Sequence, residues 1–416
     1  MKSVIKRMYL VTIVLSSTQI ITLPFIGLSI FQMFLILTFI MSIIGLATMR
    51  KIRITSIGIS LAAIWTISSI IAYTTSTYPQ WARSSCLVGL MTSFFFFFMP
   101  IYFEPRDSDS IQKALIRSQY ITILLSLYSY YLFYFAEGIP LTINLPLGMS
   151  IVLDRAFILR AMASGQIRLA LPYGTPPILS GVMGICIAIL VTNKKLYPNH
   201  YRITLICMFA IILLFTGSRT GYVAVFFFVA LYFLNSKKKR FSSKTIFAGI
   251  EGILVAISIF IWKNDYVRLF LGRLNIQSIL RDRHFILLED AFRIWIGSFR
   301  NFFIGIGFGS SINMNDMKAG TAPYFFNFFV TTIVERGILG LTLSSLMIYI
   351  TFNSIRTYRK SRNDSYRALY AAIITGMVGA LFYEMLTCYF VVIVLSTWLI
   401  INKTELNERG VNNIYD

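Results

Sequence analysis

Leu213-Leu214-Phe215-Thr216-Gly217-Ser218-Arg219-Thr220-Gly221-Tyr222-Val223-Ala224 decides how this chain reads, because Arg219 is the only charged residue between Arg202 and Lys237. The apolar runs on each side are long enough to form membrane helices. Arg219 therefore stands either in a turn at a membrane face, its head among lipid headgroups, or in a polar cavity at membrane depth, where a charge must be paired or wet. The second placement marks a substrate path or a binding site.

Outward from that stretch, uncharged runs of roughly twenty residues recur along the chain. The sequence is 56% hydrophobic and only 13% charged, with a mean hydropathy of +0.71, a composition that excludes a soluble core. The expected fold is all-α: a single polytopic membrane domain over residues 1–416 with about twelve transmembrane helices. Its spans are expected at 8–26, 30–49, 54–73, 86–103, 118–136, 174–192, 203–217, 220–235, 244–262, 324–353, 367–384 and 387–402.

The net charge of +21 would suggest nucleic acid in a soluble domain. Here more than half of the 38 Lys and Arg residues fall in connections on one side, among them Lys2, Lys6, Arg7, Lys194, Lys195 and the run Lys237 to Arg240. There they set topology, so both termini are expected to be cytoplasmic, Arg219 faces outward, and no nucleic acid is implied. The first apolar segment follows a basic start without a small-residue cleavage site, as a retained anchor does. Cys86, Cys186, Cys207 and Cys388 lie in or at the ends of spans without metal-ligand spacing or a disulfide pattern, as packing residues do. The outer loops are grossly unequal, which weakens the reading as a transporter built from duplicated bundles.

Two outer segments, 137–173 and 263–323, are too long to be mere connectors. In the second, Arg281-Asp282-Arg283-His284 opens an amphipathic helix in which Phe285, Leu288, Phe292, Trp295 and Phe299 recur at helical spacing. Its arginines either contact lipid phosphates from an interfacial helix or converge on a pyrophosphate. Gly305-Ile306-Gly307-Phe308-Gly309 follows. It has neither the βαβ context nor the Lys-Ser/Thr of a nucleotide loop, so a tight turn at the outer face is expected. Beyond it stand Asn327 and the adjacent charges Glu335 and Arg336, which a cavity or a mutual ion pair must hold near membrane depth.

At three elements the chain resembles the O-antigen polymerase (Wzy) and O-antigen ligase superfamily of bacterial envelope glycosyltransferases. These are the Thr-Gly-Ser-Arg-Thr-Gly junction at 216–221, the outer loop running into Gly-x-Gly-x-Gly at 305–309, and Asn327 followed by Glu335-Arg336-Gly337-Ile338-Leu339-Gly340. The resemblance covers roughly 165–345 and implies polymerisation of undecaprenyl-pyrophosphate-linked repeat units, for O-antigen or capsule, at the periplasmic face of the inner membrane. The implied transfer is inverting and metal-independent, with no cofactor. The implied partners are the lipid-linked glycan, membrane lipid and a chain-length regulator protein.

Guanidinium groups in a low-dielectric site would stabilise the charge that develops on a pyrophosphate leaving group. Arg219 matches the family's junction arginine, Arg283 or its neighbour Arg281 matches the loop arginine, and Arg168 corresponds to a third basic contact. Asn327 and Arg336 are the acceptor-side candidates. The ligase branch carries a His before the Asn, where this chain has Phe326; that departure favours a polymerase over transfer to lipid A core and removes the obvious base. Glu335 is then the first choice of base and His284 the second, with Asp282 and Glu289 also in reach of the loop. Outside the superfamily the rival reading is a flippase for lipid-linked oligosaccharide, which would spread charges along the spans rather than gather them at the outer face. The outer segments hold no carboxylate pair at metal-ligand spacing; Glu289 and Asp290 are adjacent, and their side chains diverge on a helix.

Overall fold

The structure is a computed structural model, and it describes residues 1–18, 21–22, 28–49, 55–135, 142–144, 150–152, 169–234, 283–309, 327–383 and 385–402. Its helices are α1 (Lys2–Val14), α2 (Ile30–Ala47), α3 (Ser56–Thr74), α4 (Pro79–Tyr102), α5 (Ser108–Phe135), α6 (Pro176–Thr192), α7 (Asn199–Thr216), α8 (Arg219–Leu234), α9 (Arg283–Ile296), α10 (Phe299–Phe303), α11 (Phe328–Lys360), α12 (Asp364–Ala380) and α13 (Tyr389–Ile401). Among the described residues five helices are long and apolar enough to cross a membrane: α2, α3, the Ala82–Tyr102 part of α4, α7 and α11; α6, α8 and α13 are apolar but shorter. The chain is thus a helical, membrane-embedded protein. The expected span at 244–262 lies outside the described residues, as do most of 137–173 and 263–323.

Burial separates two kinds of helix. Nearly every residue of α6, α12 and α13 is buried, so these three form the centre. Around them α2, α3, α7 and α8 each bury one stripe and expose large apolar side chains on the other, such as Ile40, Ile67, Ile211 and Phe226. A water-soluble bundle would carry polar residues on that outer face. Lipid is the solvent that suits it.

Hydroxyl groups bond across the apolar packing. Thr12 of α1 and Thr38 of α2 share a hydrogen bond at 2.8 Å, and Ser42 donates to the Tyr9 hydroxyl at 3.2 Å. One end of the bundle is fastened by polar groups near the basic connections. Ser108 and Ser365 are 2.7 Å apart, Asn193 donates to Asp109 at 2.9 Å and to Gln112 at 3.0 Å, and Lys2 pairs with Glu104 at 2.9 Å. These partners let α5 begin at Ser108, well before the apolar run expected to open at 118.

Three short strands add a small antiparallel sheet in the order β1 (Ile21–Thr22), β3 (Ser150–Val152), β2 (Thr142–Asn144), with Ile21 opposite Ile151 and Ile143 opposite Ile151 on the other side. The sheet ties the chain after α1 to the chain between α5 and α6. The span expected at 8–26 is accordingly shorter in structure: α1 ends at Val14 and a 3-10 turn covers Leu15–Thr18.

The largest departure from the expected spans is α11. A continuous helix expected over 324–353 is instead broken at Gly337, whose φ of 59° and ψ of −136° reverse the chain. Ser344 Oγ donates to the Phe329 carbonyl at 3.4 Å, although the two residues are 15 apart; in a straight helix they would be separated by roughly 22 Å. Gly340 also abuts the Thr332 carbonyl so closely that no side chain fits between. Residues 328–336 therefore fold back along the start of the long helix, forming a helical hairpin with Glu335 and Arg336 just before its tip.

Candidate functional site

Breaking a helix at Gly337 leaves the carbonyls of the preceding turn without their i+4 amides, and buried orphan carbonyls are costly. The glycine string supplies the missing donors. Ile306 N–H donates to the Val334 carbonyl at 3.0 Å and Gly307 N–H to the Glu335 carbonyl at 3.1 Å. Phe308 N–H then caps the end of α3 at the Ala72 carbonyl, 2.8 Å away, and Ser76 Oγ returns a bond to the Phe308 carbonyl at 2.6 Å. Gly309 N–H closes the series on the Glu335 carboxylate at 2.9 Å.

This clasp explains the spacing Gly-x-Gly-x-Gly. Gly305, Gly307 and Gly309 have φ of 84°, 86° and 69°, the left-handed region that only glycine enters freely. A Cβ on Gly305 would meet the Glu335 backbone at 2.5 Å, and one on Gly307 would meet the Ser76 amide at 2.5 Å. The string is a tight turn, as its sequence suggests. Its amides point at protein carbonyls and a carboxylate, so they are not offered to a phosphate.

Glu335 and Arg336 are both buried. The Arg336 guanidinium donates to Ser68 Oγ at 3.0 Å and lies between two aromatic faces, 5.3 Å from the Trp65 ring and 4.8 Å from the Phe308 ring. Such faces stabilise a desolvated cation. The neighbouring Glu335 carboxylate compensates its charge, so a buried arginine is held by the aromatic sandwich, one hydroxyl and an adjacent anion. Trp65 also stacks on Phe328 at 6.2 Å, which joins α3 to the start of the hairpin.

Asn327 caps that start. Its side-chain oxygen accepts from the Phe329 and Val330 amides at 3.0 and 3.2 Å, and its Nδ2 donates to the Leu381 carbonyl at 2.9 Å. An N-cap of this kind contributes about 1 kcal/mol. The acceptor-side candidate thus joins the hairpin to the link between α12 and α13.

A chain of close approaches runs from that link to Arg219. Gly379 and Gly181 both face Met385, and Gly221 packs against Ser180, the neighbour of Gly181 on α6. Arg219 is the first residue of α8 and half-buried. It follows Gly217, whose φ of 54° ends α7 and lets the chain turn. Leu169, the residue after Arg168, donates its amide to the Phe215 carbonyl at 3.2 Å. The junction, the hairpin start and the chain next to Arg168 therefore share one end of the bundle, opposite the end fastened by Ser108, Asn193 and Ser365.

Of the remaining candidates, Arg168, Arg281 and Asp282 lie outside the described residues. Arg283 and His284 occupy the first two positions of α9, with side chains outside the described set. Glu289 accepts from Arg293 at 2.7 Å in an exposed pair one helical turn apart. Among the described residues no group of three or more His, Cys, Asp or Glu stands together. All four cysteines are free, and Cys186 and Cys388 are buried in the centre as packing residues.

The sequence reading missed the partners of Arg336, because Trp65, Ser68 and Phe308 are distant in the chain and ordinary in composition. It also missed a polar stripe on α5. Gln119, Thr122 and Ser126 are buried, Gln119 Nε2 donates to the Tyr173 hydroxyl at 2.9 Å, Thr122 donates to Gln119 Oε1 at 2.9 Å, and Ser126 donates to the Leu171 carbonyl at 3.4 Å. The signal was present in their i, i+3, i+7 spacing within an apolar run. No family model matches this chain, and no curated protein matches it.

Proposed function

We propose that the protein is a glycosyltransferase that polymerises undecaprenyl-pyrophosphate-linked oligosaccharide repeat units, of O-antigen or capsule, by metal-independent inverting transfer. In this reading it crosses the bacterial inner membrane about twelve times, keeps both termini in the cytoplasm, and works at the periplasmic face. The observation that carries the proposal is the gathering, at one end of an otherwise apolar bundle, of the Arg219 junction, the Asn327-capped hairpin and the chain next to Arg168. Arg219, with Arg168 and Arg283 or Arg281, would take the pyrophosphate; fixed guanidinium groups hold such an anion in a bidentate way that lysine cannot reproduce. Glu335 would take the proton of the acceptor hydroxyl, with His284 as the second choice.

Support for a transferase over a flippase comes from where the charges lie. The buried pair Glu335 and Arg336 stands beside the hairpin tip under the clasp, while α6, α12 and α13 carry no charge within their buried faces. Support for a polymerase over a ligase is Phe326 in place of the ligase branch's histidine. A deletion strain tests the choice. Loss of the polymerase leaves single repeat units on the lipid A core, or for a capsule removes high-mass polymer with the core unchanged. Bare core with long lipid-linked chains would instead identify a ligase.

A further inference from the structure

The helices α9 and α10 bury one face and leave the other open. Ala291 is fully buried, and Ile294 and Trp295 pack beside it on Ile306, Val330 and Val334. On the open face Glu289 and Arg293 stand beside Phe292 and Ile296, three residues on in each case, and Arg300 is exposed on α10. The rest of that open face forms an apolar, uncovered edge: Ile296 is 65% exposed and Phe299 81% exposed, Phe292 and Phe303 are exposed with them, and Phe299 and Phe303 are in ring contact at 4.6 Å. A helix that faces only protein and water has no use for that edge. Both helices pack on α11, whose exposed Ile338 and Leu341 carry the apolar surface on from the hairpin tip towards Ile348 and Phe352.

We infer that α9 and α10 form an interfacial anchor, with the Phe292, Ile296, Phe299 and Phe303 edge immersed in the lipid leaflet that surrounds α11 and with Arg293 and Arg300 at the level of the lipid phosphates. The occupant is lipid because this edge is continuous with the lipid-facing side of a membrane helix and is bordered by basic residues, the arrangement that partitions into a headgroup boundary. The anchor holds the clasp and the start of α9, where Arg283 stands, at the membrane surface. It is independent of the glycosyl-transfer reading and stands or fails without it.

The test uses the full chain with Cys86→Ala and Cys207→Ala, which remove the two cysteines that are not buried, reconstituted in vesicles of phosphatidylethanolamine and phosphatidylglycerol. Nitroxide labels are attached in turn at Phe299→Cys, Ile296→Cys and Arg293→Cys, and collisions with oxygen and with a water-soluble nickel chelate are compared. The anchor predicts an oxygen-to-nickel collision ratio several-fold higher at 299 and 296 than at 293. Equal ratios at all three positions would overturn it, as would spin–spin broadening at 299 showing that a second copy covers the edge. Unfolding of the labelled protein is read in parallel from its thermal transition, so that a label at 299 is scored only on folded protein.

Discussion

Glu335 holds the glycine string twice: its carboxylate accepts the Gly309 amide at 2.9 Å, and its own carbonyl accepts the Gly307 amide at 3.1 Å. The residue proposed as the base is therefore also a structural acceptor, and the two roles separate on substitution. Glutamine keeps an oxygen for Gly309 and cannot take a proton. Glu335→Gln should stay folded, with a transition lowered by the loss of the anion beside Arg336, and lose chain extension, whereas Glu335→Ala should destabilise further, by roughly 1–3 kcal/mol, through the unsatisfied amide. Full polymer from Glu335→Gln would assign Glu335 to the clasp alone.

Glycine substitutions should divide by what surrounds them. Gly305→Ala, Gly307→Ala and Gly337→Ala combine a left-handed φ with a Cβ 2.5 Å from backbone atoms, so each should lower the unfolding temperature sharply or prevent insertion. Gly174→Ala shares a φ of 76° but meets nothing within 4 Å. It should cost only about 1–2 kcal/mol. Thermal unfolding in detergent distinguishes the two classes.

Arg336 should be intolerant of lysine. An ammonium group there would keep the charge but not the planar stack between Trp65 and Phe308, and Arg336→Lys is expected to lose about 1–2 kcal/mol of stability. Arg336→Ala leaves the Glu335 charge buried without its neighbour and should lose about 3–5 kcal/mol. Trp65→Leu should weaken the protein as Arg336→Lys does, and the double variant should lose less than the sum. Thermal or denaturant unfolding of the four variants in detergent reads these differences.

Acid should loosen the opposite end of the bundle. A hydrogen bond from Lys2, aided by the charges of Lys2, Arg106 and Lys6, holds the Glu104 carboxyl below the usual carboxylate range despite partial burial. A depressed folded pKa means that ionised Glu104 adds stability above the unfolded value of about 4.3 and that this is lost as pH falls through the lower folded value. The pair is partly exposed, so the contribution is under about 1 kcal/mol. Glu104→Gln should be slightly less stable than wild type at neutral pH and equal to it once Glu104 is protonated, as read from unfolding curves at the two pH values.

Much of the bundle was legible because lipid imposes a simple rule, that a spanning helix is an uncharged run. Thus α2, α3, α6, α7 and α8 begin and end within a few residues of the runs that announce them. The hairpin was not legible, because a glycine that follows two charges in an otherwise apolar run carries no local mark that distinguishes reversal of the chain from close packing, as Gly221 shows on Ser180. The glycine string was readable as a turn, but its purpose depends on the carbonyls of Val334 and Glu335, which become orphans only once α11 is broken. At the candidate site, the N-cap at Asn327 and the turn at Gly217 follow from local chemistry. The surroundings of Arg336 depend on α3 and the glycine string meeting in space, which periodicity does not report.

The central claim, that Arg219 serves metal-free polymerisation of lipid-linked repeat units, is tested most directly with purified protein, undecaprenyl-pyrophosphate-linked repeat units and excess EDTA. Wild type should yield a ladder of polymer in the chelator. Arg219→Ala should yield none while keeping the wild-type thermal transition, and Arg219→Lys should recover only part of the activity. A normal ladder from folded Arg219→Ala, or a wild-type activity lost in EDTA and restored by a divalent ion, would contradict the account.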